Sequence, residues 1–368
     1  MSESFDLAAF ERSGLYDPAA VDATERAALL AWLVARGTTM QQMERSASLG
    51  SLTSAAGDAR IRPGAPITLH ELCERTGLSA GQVHAILEAA GASAPPGEDQ
   101  EFVESDIETF QMFAAGVGLF ETEPLLDLVR VMGSAMARVA EAAITLFQVT
   151  VEGPMHERRA TEVDLAEASL SAVDSLEVVP RAMAGLFRLH VETAVRRSRH
   201  AWDADNPFGS RRLAIGFIDL VGFTPLSVQL DNAGLGRLID EFERRANEIV
   251  TRHDGRVVKH IGDEVMFVAV GAEAACNIAR EICEAFRDSD VEPHGGVAIG
   301  GLLTRGGDFY GPIVNLASRI GDIAVPNEIL VTEAVVDGVG PESGVTFEAA
   351  GRRQLKGFGE PVSLWSLS

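Results

Sequence analysis

The hydrophobic pattern of this chain changes near residue 210, and that change limits the folds open to it. Before this point apolar residues recur at helical spacing, as in the run from Asp22 to Arg36. Beyond it, short apolar runs of strand type alternate with helical stretches, at 213–220, 256–261, 265–270 and 296–303. The resulting order is strand–helix–strand–strand–helix–strand, the ferredoxin-like arrangement. The sequence therefore predicts an all-α N-terminal domain followed by an α+β βαββαβ domain.

The length of the chain agrees with two domains, because 368 residues exceed the usual size of one. Proline, glycine, asparagine and aspartate cluster at 204–210, which indicates a connecting segment. We therefore predict a helical domain over residues 1–200, a linker over 201–211 and a second domain over 212–368.

Charge and composition restrict the class of protein. A formal net charge of −23 disfavours binding to nucleic acid. The chain has three cysteines and acidic residues close to its N-terminus, so neither a disulfide framework nor a secretory signal is indicated. The most apolar region, 112–151, is interrupted by charged residues and is too polar for a membrane span. These features predict a cytoplasmic protein.

One segment of the N-terminal half has the pattern of a helix-turn-helix. Residues 68–91 contain two helical stretches with Gly77 in the turn between them. The second stretch, Ala80 to Ala90, has no lysine or arginine to contact a phosphate backbone. A structural pair of helices is therefore favoured over a DNA-reading motif, and a DNA-binding protein stays the weaker alternative.

Two aspartates occupy special places in the predicted C-terminal domain. Asp219 ends the first strand, and Asp263 lies at the tip of the predicted hairpin beside that strand. Two neighbouring carboxylates repel each other, and a divalent cation relieves that repulsion. Gly222, in the loop after the first strand, allows backbone N–H groups to approach a phosphate closely. The pattern predicts a metal and phosphate site.

Four motifs in the same order resemble those of the class III adenylyl and guanylyl cyclases. They are Phe217–Thr224, Lys259–Val265, Asp308–Arg319 and Leu355–Gly359. The resemblance implies a class III catalytic domain that forms 3′,5′-cyclic AMP from ATP. It also implies that Asp219 and Asp263 hold two Mg²⁺ or Mn²⁺ ions. Further contacts to the ions and substrate are implied for the Ile218 backbone carbonyl, Gly222, Phe223 and Thr224.

The resemblance implies a role for each remaining polar residue of the motifs. Lys259 and Asp308 would read adenine, since guanylyl cyclases usually carry glutamate and cysteine at these positions. Asn315 would orient the ribose, and Arg319 would stabilise charge on the α-phosphate in the transition state. Lys356 would bind the triphosphate. A catalytically inactive cyclase-like binding module is the main alternative, but it usually lacks a metal acid or the arginine.

The same resemblance extends to assembly and regulation. Class III sites form between two catalytic domains, which implies a homodimer with active sites shared between chains. The whole chain resembles mycobacterial-type cyclases that respond to pH, so residues 1–200 would be a regulatory, autoinhibitory domain. Stretch 107–151 could enclose a fatty-acid-like ligand, although packing in a dimer core is the simpler interpretation. Histidine titrates near pH 6.5, which makes His156, His190 and His200 candidate pH sensors.

Overall fold

The computed structural model describes residues 5–93, 101–176, 178–200, 210–287, 289 and 291–368. The chain forms two compact units, Met1–Arg188 and Leu189–Ser368. Within the described residues, no helix is long and apolar enough to cross a membrane.

The N-terminal unit is helical, as predicted. Its α-helices are α1 (Leu7–Arg12), α2 (Ala23–Ala35), α3 (Met40–Ser48), α4 (Ala55–Ile61), α5 (Leu69–Thr76), α6 (Ala80–Ala90), α7 (Asp106–Val117), α8 (Thr122–Phe147), α9 (Gly153–Glu157), α10 (Glu162–Leu176) and α11 (Val179–His200). A 3₁₀ turn (Leu52–Ser54) precedes α4, and a π-helical turn (Gln148–Glu152) follows α8. Two short strands, β1 (Pro66–Ile67) and β2 (Phe102–Val103), pair antiparallel. The α11 helix continues into the second unit.

The helix-turn-helix segment folds as a pair of well-capped helices. Thr68 and Ser79 each close a capping box at the start of α5 and α6, which satisfies backbone N–H groups at the helix ends. Gly77 ends α5 with a φ of +76°, a conformation that glycine adopts without strain. Leu72 and Val83 are fully buried in a core shared with α7 and α8. This packing agrees with the structural interpretation.

The apolar stretch 107–151 is buried only in its first part. Ile107 and Phe110 of α7 and Val129 of α8 belong to the core. Farther along α8, Met136, Ile144 and other large apolar side chains are exposed. This part of α8 therefore presents apolar side chains to solvent in the single chain, which gives no support to an enclosed fatty-acid-like ligand.

The second unit contains the predicted βαββαβ order with additions at its C-terminal end. Its elements are β3 (Ser210–Val221), α12 (Phe223–Gln229), α13 (Asn232–Arg252), β4 (Arg256–Ile261), β5 (Glu264–Ala269), α14 (Ala272–Ala285), β6 (Glu292–Arg305), β7 (Asp308–Tyr310), α15 (Pro312–Gly321), β8 (Ile329–Thr332), α16 (Glu333–Val336), β9 (Phe347–Arg353) and β10 (Val362–Leu367). The strands form one sheet in the order β4-β5-β3-β6-β8-β10-β9, and β7 pairs with β6.

Alternation along β3 assigns its side chains to the two faces of the sheet. Ala214 and Ile218 pack into the core on the face that carries α13 and α14. Ile215 and Phe217 belong to a second core, which also contains Ala317 of α15. Asp219 lies two residues after Phe217, so its side chain is on the face of the sheet that carries α15.

Close packing of α15 on β6 depends on glycine. A Cβ atom at Gly296 would lie 2.4 Å from the Ala317 carbonyl oxygen and 2.5 Å from the Gly321 nitrogen. No side chain other than hydrogen fits that space. The glycine therefore sets the depth at which α15, with its predicted catalytic residues, lies on the sheet.

The division between the units falls inside α11, at Arg188–Leu189, whereas the sequence places the boundary after residue 200. The last turns of α11 contact the turn between α13 and β4, which explains the difference. Arg196 pairs with the Asp254 carboxylate at 2.6 Å. Arg197 donates to the backbone carbonyls of Asp254 and Gly255.

Candidate active site

The two predicted metal acids lie at one edge of the sheet. Asp219 lies two residues before the end of β3, and Asp263 lies in the turn between β4 and β5. Because β3 pairs antiparallel with β5, this turn is next to the end of β3. Glu264 opens β5 beside Asp263 and is half-buried. The fold thus gathers three carboxylates at the same edge.

A histidine faces the first of these acids from the neighbouring strand. His294 on β6 is the register partner of Asp219, and directly opposed residues share a face. Its Nδ1–H donates to the Ala324 carbonyl oxygen at 3.0 Å, which turns Nε2 toward Asp219 Oδ2 at 3.6 Å. The His294 side chain is only 12% exposed. This histidine therefore approaches the acid edge in a fixed orientation.

The titration behaviour of the edge follows from burial and from these neighbours. His294 holds the pKa of Asp219 below its ordinary value, and Asp219 in turn raises the pKa of His294. Partial burial raises the pKa of Asp263, and the charge of Asp219 adds to that increase. Burial, reinforced by Asp219, Asp322 and Asp263, raises the pKa of Glu264 to about 7. The edge is a site where negative charge accumulates and a cation is favoured.

The chemistry of the donor set fits Mg²⁺ or Mn²⁺. Carboxylate oxygens are the ligands that these hard ions prefer, and the half-exposed Asp219 presents them to solvent. In the described part of the chain, no group of three or more His, Cys, Asp or Glu side chains is placed so that it could hold a metal ion by itself. Mg²⁺ is commonly bound by one or two carboxylates together with substrate phosphates, so the pair is sufficient.

The loop after β3 has the conformation expected of a close approach to phosphate. Gly222 adopts a φ of +88° and precedes α12. The Phe223 ring is partly buried against the core, whereas the side chain of Thr224 lies outside the described residues. Ile218 is fully buried, so only its backbone is available to a ligand.

The two predicted base-reading residues are in direct contact. Lys259 Nζ on β4 lies 2.7 Å from Asp308 Oδ2 on β7. The two side chains are 44% and 25% exposed, so both are open to a ligand. A cation and an anion side by side form a donor–acceptor pair, which is what the ring nitrogen and amino group of adenine require.

The exposed face of α15 carries the two predicted catalytic residues. Asn315 and Arg319 are one helical turn apart, and both are exposed. Arg319 Nη1 lies 2.6 Å from Asp322 Oδ2, just after the helix. The arginine is therefore presented to solvent in an ion pair rather than buried.

The remaining predicted residues are separate from these contacts. Lys356 follows the buried Leu355 in the loop between β9 and β10 and is exposed. Among the candidate pH sensors, His156 on α9 lies 3.7 Å from Glu152, and His190 is exposed on α11. The side chain of His200 lies outside the described residues.

Comparison with known proteins supplies the family. The adenylate cyclase regulatory domain family matches residues 12–193. An uncharacterized protein of Mycobacterium tuberculosis is 30% identical over 370 residues, which cover all of this chain and 95% of that protein. A pH-sensitive adenylate cyclase of the same species is 28% identical over 354 residues, 93% of this chain and 87% of that cyclase. The chain belongs to the adenylate cyclase family.

A relative from another genus matches the cyclase over a shorter region. The adenylate cyclase of Streptomyces coelicolor is 32% identical over 246 residues, which cover 66% of this chain and 63% of that protein. These matches confirm the resemblance that the four motifs indicated.

Sequence reasoning missed three residues that the structure places beside the predicted site residues. Glu264 was signalled by its place next to Asp263 in the hairpin. The only signal for Asp322 was its position three residues after Arg319, a spacing at which side chains can meet at the end of a helix. His294 had no local signal, because its relation to Asp219 depends on the register of two strands far apart in the chain.

Proposed function

We propose that this adenylate cyclase acts as a homodimer that converts ATP into 3′,5′-cyclic AMP and pyrophosphate. The observation that carries the proposal is the presence, in one domain, of the acid edge, the Lys259–Asp308 pair and the exposed Asn315–Arg319 face. An inactive binding module has no need for all three. Incubation of the purified full chain with ATP and Mn²⁺, followed by chromatographic product analysis, tests it.

Each residue of the candidate site has its own role in the proposed reaction. Asp219 and Asp263 would hold two Mg²⁺ or Mn²⁺ ions, which favour ionisation of the ribose 3′-hydroxyl and neutralise the triphosphate. Asn315 orients the ribose so that its 3′-oxygen faces the α-phosphorus. Arg319 donates to the α-phosphate oxygens, where negative charge develops as the bond to pyrophosphate breaks. Lys356 and the backbone N–H groups after Gly222 bind the phosphates.

The preference for adenine follows from the base-reading pair. The Lys259 ammonium donates to a ring nitrogen acceptor, and the Asp308 carboxylate accepts from the exocyclic amine. Guanine presents the opposite arrangement of donors and acceptors at those positions. ATP is therefore the expected substrate.

Exchanging the base-reading pair is expected to reverse the substrate preference. The double change Lys259→Glu with Asp308→Cys should lower kcat/KM for ATP by about 10²-fold and raise it for GTP, because the donors and acceptors at these two positions then match guanine. Both values are measured by product formation from each nucleotide. The single change Arg305→Ala, in the same β6–β7 region, serves as the control. Unchanged preference in the double variant would disprove the base-reading assignment.

The homodimer is supported by an apolar seam on α8 as well as by the shared-site arrangement of the family. Residues at alternating spacings of four and three form one stripe, the pattern by which helices pair. They are Leu128, Met132, Ala135, Val139, Ala142 and Leu146. The four large side chains of this seam are exposed in the single chain. A second copy would bury them.

Regulation by pH through the N-terminal unit is the last part of the proposal. Its support is the match to the regulatory domain family and to a relative whose name describes it as pH-sensitive. The α11 helix continues from the N-terminal unit to the α13–β4 turn, where Arg196 and Arg197 bind. Movement of this helix would therefore reach β4, which carries Lys259.

Removing these two arginines is expected to weaken the response to pH. In the full chain, Arg196→Ala with Arg197→Ala should bring the ratio of the cyclase rates at pH 8 and pH 5.5 about threefold closer to one, since coupling networks contribute about 0.5–2 kcal/mol. Rates are measured at protein concentrations that saturate dimerisation. The matched control replaces Arg181 and Arg188, exposed on the first half of the same helix. Parallel profiles in the test variant and wild type would contradict this route.

A further inference from the structure

The base-reading Asp308 lies on an arm that needs support from elsewhere in the domain. The strand that carries it, β7, has three residues and, among the described strands, pairs with the end of β6 alone. The ion pair between Asp308 and Lys259 is partly exposed, and exposed ion pairs contribute only about 0–1 kcal/mol to stability. The Phe309 N–H also donates to Asp308 Oδ1 at 2.8 Å, so the placement of the carboxylate depends on what holds Phe309 as well as on Lys259.

Arg256, at the start of β4, contacts the residues on both sides of Asp308. Its Nη2–H donates to the Gly307 carbonyl oxygen at 2.8 Å. Its guanidinium carbon lies 5.0 Å from the ring centroid of Phe309, within cation–π range. The Phe309 ring is itself buried, at 7% exposure. A planar guanidinium that holds both neighbours leaves Asp308 little freedom to move.

A β-bulge brings Arg256 and Lys259 to the same face of the sheet. Residues three apart on a regular strand point to opposite faces. Here the register shifts between Val257 and Lys259, so Arg256 pairs with Val268 and Lys259 pairs with Met266. Val268 and Met266 belong to the same buried cluster, which also contains Phe309. The bulge therefore presents both basic residues to the β7 arm.

The environment of Arg256 agrees with a supporting role. Burial lowers the pKa of its guanidinium, with a further contribution from the nearby positive charge of Arg197. A partly buried arginine is retained where its hydrogen bonds and stacking are used, because desolvation of the charge is costly. Arg256 also follows the Asp254–Gly255 turn to which α11 is bound.

We infer that Arg256 is a positioning residue that sets the substrate specificity of the cyclase by holding Asp308 against the adenine base. This inference depends on the proposed function, because it assumes that Asp308 reads the base. Arg256 itself touches neither the metal acids nor the reacting phosphate. Its loss should therefore relax selection between bases while leaving metal dependence unchanged.

The test compares nucleotide selectivity in full-length Arg256→Met, Arg256→Lys and Arg252→Met proteins. The first removes the charge and the planar fork at similar length, and the second keeps the charge alone. Arg252 is the matched control. It is the last residue of α13, close to Arg256 in the chain, but its ion-pair partners are Glu248 and Glu281. Two readouts are taken, kcat/KM for ATP and GTP, and equilibrium binding of fluorescent mant-ATP and mant-GTP.

We expect Arg256→Met to lower the ATP:GTP selectivity about tenfold, mainly by raising KM for ATP. This is the effect of losing one charge-assisted hydrogen bond. Arg256→Lys should fall between it and wild type, and Arg252→Met should match wild type. Selectivity within twofold of wild type in Arg256→Met overturns the inference. If that variant does not fold, wild-type selectivity in Arg256→Lys overturns it. If the wild type forms no cyclic AMP, the proposed function fails, whereas the mant-nucleotide comparison still decides the role of Arg256.

Discussion

Alanine at either Asp219 or Asp263 is expected to lower the cyclase rate by at least about 10³-fold, because the ions that we propose they hold would contribute several kcal/mol to transition-state stabilisation. The fold should survive both changes. Asp219 is half-exposed, and Asp263 lies in a turn, so neither side chain fills the core. Loss of a charge at the acid edge should leave the free energy of unfolding unchanged or slightly raised for Asp263→Ala. For Asp219→Ala it should be unchanged or slightly lowered, because that change also removes the contact with His294.

Two measurements separate loss of metal binding from loss of structure. The first is cyclic AMP formation over a range of Mn²⁺ concentrations, and the second is the rise in melting temperature that Mn²⁺ produces. The wild type should show both effects, and each variant should show neither while melting normally without metal. Asp240→Ala, which removes an exposed acid from α13, is the control. More than about a tenth of the wild-type rate in either variant contradicts the metal assignment.

Mixing two inactive variants is expected to restore activity if each site is shared between chains. Asp219→Ala removes a metal acid, and Arg319→Ala removes the transition-state arginine. In a heterodimer of the two, one site contains both defects and the other contains neither. Random exchange of an equal mixture makes half of the dimers mixed, so about one quarter of the wild-type activity should return.

The matched control mixes Asp219→Ala with Asp263→Ala. The resemblance to class III cyclases implies that one chain supplies both metal acids of a site and its partner supplies Arg319, so each site of this heterodimer would lack one acid and no activity should return. Subunit exchange is followed independently with fluorescently labelled chains. Exchange without recovered activity in the first mixture, or equal recovery in both mixtures, contradicts a site formed between chains.

Local sequence determined the elements of the catalytic domain and the ends of several of them. The apolar run before Asp219 has the length typical of a buried strand, and Gly262 provides the positive φ that the hairpin turn requires. Each signal lies within a few residues of the feature that it specifies. The motif order then identified the family before any contact was known.

Contacts between distant segments were decided by tertiary structure alone. The approach of His294 to Asp219 depends on the register of β3 and β6, and a shift of one residue would move His294 to the other face. The contact of Arg256 with the β7 arm depends on a bulge in β4. Neither register nor bulge has a sequence signature here.

The regulatory half shows the same division. Its helices and the capped turn at Gly77 were evident from apolar spacing and from capping residues. The sequence did not indicate that the second half of α8 is exposed. Nor did it indicate that the last turns of α11 contact the Asp254–Gly255 turn. Hydrophobic periodicity reports that a residue prefers burial, whereas only the fold determines which surface is available to bury it.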